Sequence, residues 1–376
     1  MAGRDSSQRA PGRVSSVCQR CARRAWLMTK LGTPLDFRAR DLARFWGLLE
    51  LSDHELIEAV GGRRRDELRA AYDAWTPIRD EQTSGVESIC KHHPSYPAVL
   101  SGDALAPHML SVRGGLRRLA DMLQGKVVGI VGTRRATDYG MELARELARG
   151  LATSGLTVAG DLGEGIAAAV HTGVLEAHAQ PLCVIAGGVT RCSPAWCGPL
   201  YRRIVEEGCA VSELQVSEGL RPRTWWDPAN GRTLALLAQM TIVVEAGEHP
   251  RELACARVAQ ARGRDVAAVP GRVSSPASKG TNALLMDGAK LLRDAQDALD
   301  VLYGVGTRAT AVQERAQVTL EPRLAEVLEG VGRGADTLTK LAARGSQPSE
   351  LALALIELEL RGLLVRGHAG RYVPSA

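Results

Sequence analysis

Val127-Val128-Gly129-Ile130-Val131 is an apolar run that stops at Gly132 and is followed at once by Thr133, Arg134 and Arg135. A strand with no polar position has no face to give to water, so it belongs in a sheet covered on both sides. From about Asp138 to Thr153 the apolar spacing becomes helical. A strand, a glycine turn and a helix start bring free backbone N–H groups and the positive end of a helix dipole to one point, which suits an anion. Arg134 and Arg135 beside the turn add planar donors matched to phosphate. Phosphate binding is therefore the first expectation, and the rest of the chain must say whose phosphate it is.

The same alternation continues downstream. Candidate strands are Val127–Val131, Thr157–Ala159, Leu182–Ile185, Ala210–Ser212, Thr241–Val244 and Asp265–Val269, each followed by glycine or polar turn residues and then a helical stretch. The pattern predicts a doubly wound, mostly parallel α/β sheet with helices on both faces. Ligands on such sheets bind beyond the carboxyl ends of the strands. Gly132, the Gly160–Gly165 loop, Gly187-Gly188 and Pro270-Gly271 fall there. On either side the pattern changes. Helical spacing from Asp36 to about Trp75 predicts a small helical domain over 31–83, and residues 84–125 read as loops leading into the sheet. Residues 305–318 read as a linker. Beyond it, three helical stretches (Leu324–Val331, Ala335–Arg344, Ser349–Arg361) and a glycine-turned hairpin over 362–373 predict a winged-helix-like domain at 319–376. Its core is expected to hold Leu324, Leu328, Leu338, Leu341, Leu353, Leu355, Ile356 and Leu360, closed by Leu364 and Val373. Its balanced charge suits a protein-facing role better than a groove reader.

The formal charge of +5 is unevenly spread. Residues 1–30 carry seven Lys or Arg against Asp5 alone, so the remaining 346 residues sum to −1. Residues 1–30 thus read as a flexible basic arm, and a phosphate site in the main body must rest on local arginines. No apolar run reaches membrane-spanning length. The N-terminus lacks the apolar segment of a secretory signal. Eight scattered cysteines fit reduced thiols in a cytosol better than a disulfide framework. Cys18-x-x-Cys21 has the spacing of half a zinc site or of a redox pair, and only Cys90, His92 and His93 could complete a metal set across the long gap. We read the pair as two reduced thiols on a short helix and assign no metal. His171 has no Ser or Cys partner by motif and is expected to pack beneath the glycine loop. A nucleotide-hydrolysing reading lacks a Walker lysine and a metal-binding carboxylate set.

The motifs, taken in order, resemble the DprA/Smf family of DNA-processing proteins. The resemblance is carried by Val128-Gly129-Ile130-Val131-Gly132-Thr133-Arg134-Arg135-Ala136 with Tyr139-Gly140, Gly165-Ile166 with His171 and Gly173, and Gly188, Arg191 and Pro194. Ser212-Glu213-Leu214, Pro228 and Arg232, and Val243-Val244-Glu245-Ala246 follow. Val269-Pro270-Gly271 then leads to Gly280-Thr281-Asn282-Ala283-Leu284-Leu285 and Asp287-Gly288-Ala289. It covers about residues 85–302. It implies an extended Rossmann-like domain over 84–304 that binds single-stranded DNA, protects incoming strands and loads a RecA-type recombinase in natural transformation. It further implies a cytoplasmic homodimer without enzymatic turnover, cofactor or membrane partner. By residue, it implies a DNA site of Gly132, Thr133, Arg134, Arg135, Gly165, Arg191, Arg232, Lys279 and Asn282.

This chain departs from the family pattern at the second-strand loop, Gly160-Asp161-Leu162-Gly163-Glu164-Gly165-Ile166-Ala167. Asp161 stands for a glycine, Glu164 for an arginine and Ala167 for an aspartate. Two carboxylates then lie where phosphates should approach. At about 6 Å and an effective dielectric near 20, each costs on the order of 2–3 kcal/mol before salt screening. Aromatics, which usually stack bases in single-strand sites, amount to 4%; Trp225-Trp226 is the best candidate pair. Two alternatives stay open: a Rossmann-like enzyme on a small phosphorylated nucleotide ligand, and a scaffold with weakened DNA binding.

Overall fold

The computed structural model describes residues 17–31, 42–76, 85–185, 187–190, 192, 195–214, 226–249, 253–310, 320–343, 347–361, 363–366 and 371–374. They divide into two units, residues 1–311 and 312–376.

Among the described residues, the first unit begins with the helices α1 (Gln19–Lys30), α2 (Leu42–Glu50), α3 (Asp53–Val60) and α4 (Arg65–Asp73). The sheet domain follows in the order β1 (Val86–Cys90), β2 (Met109–Arg113), α5 (Leu116–Met122), β3 (Val127–Val131), α6 (Asp138–Thr153), β4 (Thr157–Gly160) and α7 (Ile166–Glu176). Next come β5 (Leu182–Val184), α8 (Gly198–Glu207), β6 (Cys209–Ser212), α9 (Trp226–Leu237), β7 (Met240–Val243), α10 (Ala254–Ala261) and β8 (Asp265–Ala268). The domain closes with α11 (Lys279–Met286), β9 (Lys290–Leu291) and α12 (Ala295–Tyr303).

These strands form one nine-stranded sheet in the order β1-β2-β6-β5-β4-β3-β7-β8-β9. From β6 to β9 every pairing is parallel. The chain winds from β3 outward through β4, β5 and β6, then returns to the other side of β3 to build β7, β8 and β9. The reversal between β3 and β7 is where a doubly wound sheet opens a crevice at its carboxyl edge. All six strands read from the sequence are present within a residue or two at their ends. In β3, Val127 and Val131 enter a core with α9 and α10, while Val128 and Ile130 enter a core with α6, α7 and α12. Burial on both faces is the reason this strand carries no polar residue.

Three expectations are corrected. Residues 84–125 are not only loops: β1 and β2 form an antiparallel pair, and β2 joins β6 with Val112 opposite Val211. Glu87, Ser88 and Ser111 interrupt the apolar alternation and mask the strands in sequence. Residues 19–30 are not a flexible arm; they form α1, which buries Cys21, Arg24, Ala25 and Leu27. Arg24 donates to the carbonyls of Leu49 and Leu51 and to Asp53 at 2.7–3.1 Å. One of the seven charges counted as free is therefore spent on folding, and Leu27 and Leu31 join Phe45, Leu56, Ile57 and Tyr72 in the helical core. Residues 1–16 of the expected arm lie outside the described residues. Of the expected linker, Thr310 still bonds to Gln296 and Arg308 lies 5.0 Å from the centre of the Tyr303 ring, whereas 311–319 lie outside the described residues.

The second unit has α13 (Pro322–Gly332), α14 (Leu338–Ala342), α15 (Pro348–Leu360) and an antiparallel hairpin of β10 (Leu364–Arg366) and β11 (Tyr372–Pro374), the expected element order. Its core differs in register. Leu351, Ala354, Leu355 and Leu358 are buried, while Leu353, Ile356 and Leu360 are exposed. Leucines line more than one face of α15, so spacing alone does not say which stripe turns inward.

Candidate functional site

The chain turns at the end of β3 in a space too tight for a side chain at Gly132. A Cβ there would lie 2.6 Å from Ile166 Cγ1 and 2.7 Å from the Glu245 carbonyl oxygen. Thr133 then ties three strand ends together. Its N–H donates to the Glu245 carbonyl beyond β7 at 2.7 Å, and its carbonyl accepts from the Ile166 N–H at the start of α7 at 3.3 Å. Gly165 precedes Ile166 with φ +65°, a value that favours glycine, and a Cβ on it would lie 2.6 Å from the carbonyl oxygens of both Thr133 and Arg134. The Asp161–Gly165 loop therefore lies against the Gly132 turn, as expected for adjacent strands. Arg134 and Arg135 are exposed. Arg134 Nε runs beside Gly163, 3.5 Å from where a Cβ on that residue would stand. The buried Cys197 thiol is pushed up to about 12, first by desolvation, and it feels Glu164 and Arg134 in opposite senses. The acid and the arginine share that neighbourhood.

His171 supports the loop from beneath. It is fully buried, and its Nε2–H donates to the Asp161 carbonyl at 2.8 Å. Burial holds its pKa at about 4, so it is a neutral donor at physiological pH.

The helix start does not have the vacancy that the sequence suggests. Thr137 caps α6 by accepting from the Gly140 N–H at 3.1 Å. The Glu245 carboxylate accepts from the Thr137 N–H at 2.8 Å and from its hydroxyl at 2.6 Å. Glu245 is only 6% exposed, and Gly140 has no Cβ because Glu245 occupies that volume. An internal carboxylate thus already answers the positive end of a 16-residue helix. The cationic side chains exposed at this turn are those of Arg134 and Arg135. This role of Glu245 was missed from sequence. The available signal was an acid two residues beyond the buried strand Met240–Val243, at its carboxyl end.

The other expected site residues separate. The segment after β7 meets the start of α11: the Gly280 N–H donates to the Ala246 carbonyl at 2.8 Å, and Gly280 lacks a Cβ because the Gly247 carbonyl lies there. This brings the exposed Lys279 to the same crevice edge, with Nζ 3.9 Å from Glu248. Asn282 is committed to structure, accepting from the Gly271 N–H at 3.2 Å and donating to the Gly271 carbonyl at 3.1 Å. Arg232 is elsewhere. It sits in α9, 4% exposed, paired with Glu213 beyond β6, and burial pushes its pKa down to about 10. With Arg24, His108 and Leu214 it lines a cleft between α1 and the sheet. The sequence places Arg232 by motif order; in the structure its guanidinium is buried against Glu213 rather than offered to solvent. Arg191, Pro194 and Trp225 lie outside the described residues, as do the side chains of Trp226 and Pro228.

The crevice between β3 and β7 thus gathers Gly132, Thr133, Arg134, Arg135, Gly165 and Lys279, with Glu164 and Glu248 as exposed carboxylates nearby. Residues 87–303, from β1 to the end of α12, match the family described as DNA recombination-mediator protein A. The chain belongs to this family. A putative DNA processing protein DprA of Mycobacterium tuberculosis is 32% identical over 315 residues, covering 83% of this chain and 77% of the relative. Among solved structures, the fold is similar to DNA processing protein A of Streptococcus pneumoniae, with TM-score 0.59 and 24% identity over 75% of this chain and 98% of that one. It is also similar to DNA processing protein A of Helicobacter pylori, whose structure concerns a single-stranded DNA binding mode. That match has TM-score 0.50 and 22% identity over 58% of this chain and 95% of that one. In this chain the glycine–threonine–arginine turn at Gly132–Arg134 packs against the acidic loop that follows β4. No helix among the described residues is long and apolar enough to cross a membrane.

Proposed function

We propose that the crevice at the carboxyl ends of β3 and β7 binds the phosphate backbone of single-stranded DNA. The observation that carries this reading is the convergence of Arg134 and Arg135 with Lys279 at the point where the sheet reverses its winding. Gly132, Thr133 and Gly165 shape the floor, and Arg134, Arg135 and Lys279 supply the charge. The relative from H. pylori, with its single-stranded DNA binding mode, supports the choice of ligand. Arg191 stays part of the proposal by resemblance; Arg232 and Asn282 act structurally, holding the elements around the crevice. The wider role we infer is non-enzymatic: a cytoplasmic homodimer that protects single strands and hands them to a RecA-type recombinase in natural transformation.

Glu164 and Asp161 at the rim make the site weaker for phosphate than its arginines alone would. This favours, as the second reading, a scaffold with reduced DNA affinity. Fluorescence anisotropy with labelled oligo-dT at low and moderate salt decides between the two. Arg134→Ala and Lys279→Ala should each weaken binding by roughly 1–3 kcal/mol, the range for hydrogen bonds to charged groups, and should reduce the salt slope. Wild-type binding that is undetectable at low salt selects the scaffold. Binding that is intact in both variants moves the DNA elsewhere.

A further inference from the structure

Outside the crevice, the fold brings together four metal-ligating side chains that the sequence holds far apart. Cys18 stands at the N-cap position of α1, its side chain making no capping bond, and Cys21 lies in the first turn. Cys90 ends β1, and His92 follows in a turn closed by the His93 N–H donating to the Cys90 carbonyl at 2.9 Å. The Lys91 N–H donates to the His108 carbonyl at 3.0 Å and holds that turn against β2. The Sγ atoms of Cys18, Cys21 and Cys90 and a ring nitrogen of His92 all lie within 4.8 Å of one another. His92 Nδ1 is 3.3 Å from both Cys18 Sγ and Cys21 Sγ.

We propose that Cys18, Cys21, Cys90 and His92 bind one zinc ion as a Cys3His structural site. Three thiolates and one imidazole form a standard closed ligand set for tetrahedral zinc, and bonds of about 2.3 Å to sulfur and 2.0–2.1 Å to nitrogen place neighbouring ligand atoms roughly 3.5–3.8 Å apart. The observed spacings require only small adjustments to close on an ion. A redox pair would need Cys18 and Cys21 alone and gives no reason for a third sulfur and an imidazole to converge on them. The Cys18 N–H also points at Cys90 Sγ, at 3.4 Å. Such a donor stabilises a metal-bound thiolate from outside the ligand set. Cys21 and Cys90 are buried while His92 is exposed, so the ion would sit at the surface with its sulfur side inward.

The placement explains what the ion would do. Opposite parts of α1 serve two partners: Leu27 belongs to the helical core, whereas Cys21 and Ala25 belong with Cys90 and Met109 to a separate small cluster, against which Val17 and Cys18 pack. That cluster is small for anchoring a helix to a sheet edge. The ion joins residues 18 and 92 across some seventy positions of chain and clasps the helical domain to β1.

The test uses the full chain purified under reducing conditions. Elemental analysis should find about one zinc per chain, and cobalt substitution should give the thiolate charge-transfer and visible bands of a tetrahedral sulfur-rich site. His92→Ala, an exposed position that leaves the core intact, and Cys18→Ser should lower the metal content at least fivefold. Cys197→Ser should retain it. Chelation should lower the melting temperature of the wild type and leave that of His92→Ala unchanged. The proposal is overturned by a fully reduced wild type that holds no zinc and takes up no cobalt. A Cys18–Cys21 disulfide in place of the metal, iron instead of zinc, or unchanged metal content in folded His92→Ala would overturn it equally.

Discussion

Glu245 joins the end of β7 to the start of α6 and keeps the ligand crevice in shape. Its carboxylate takes two hydrogen bonds from Thr137, at 2.8 and 2.6 Å, and stands at the N-terminus of the helix. Each hydrogen bond to a charged group contributes about 1.5–3 kcal/mol. The helix dipole adds up to about 2 kcal/mol in a partly buried geometry. The simple sum overstates the loss, because Thr137 is exposed and water can rehydrate its freed N–H. Thr137 also keeps its own cap to Gly140. We therefore expect Glu245→Ala to destabilise the first unit by about 3 kcal/mol, and Glu245→Gln by about 1–1.5 kcal/mol because the amide retains one acceptor. Urea unfolding followed by tryptophan fluorescence reads this unit alone, since all six tryptophans precede residue 311. A double-mutant cycle with Thr137→Ala should return a coupling of about 1–2 kcal/mol. Additivity within about 0.5 kcal/mol would refute the idea that this pair holds the helix start.

Three further outcomes are expected. Glu164→Arg should raise oligo-dT affinity at least tenfold at low salt, about 1.4 kcal/mol; no change in a folded protein would place the loop outside the DNA path. Gly165→Ala should cost roughly 3 kcal/mol of stability, from a positive φ and contact with two carbonyl oxygens, and a loss below about 1 kcal/mol in a urea melt would mean the turn relaxes freely. His171 has its folded pKa depressed to about 4 by burial, so its stabilising contribution is complete above the unfolded value near 6.5 and is lost as pH falls from there to about 4, by roughly 3 kcal/mol. His108, held at about 3 mainly by burial, acts in the same direction, so the measurement is the difference in pH slope between wild type and His171→Gln, and equal slopes would contradict the assignment.

Much of the first unit is written in local sequence because its signals are short-range. The central parallel strands β3 to β8 are short, mostly apolar runs of three to five residues ended by turns, as burial on both faces favours. Gly132, Gly165 and Gly280 mark close backbone approaches that admit no Cβ. The order of these pieces was enough to identify the family, and the juxtaposition of the 160–165 loop with Gly132 followed from strand adjacency. Other features depended on partners distant in the chain. Arg232 looks like a ligand in sequence and is a buried ion-pair partner, because Glu213 comes to it only when β6 and α9 pack. The helix start looks vacant until β7 delivers Glu245. Arg24 counts toward a basic arm until the carbonyls of Leu49 and Leu51 fold over it. Cys18 and Cys21 read as two thiols until β1 brings Cys90 and His92 beside them. A side chain's charge and donors are properties of its residue, but whether they face solvent, a ligand or an internal partner is set by contacts between distant segments, and those form only when the sheet closes.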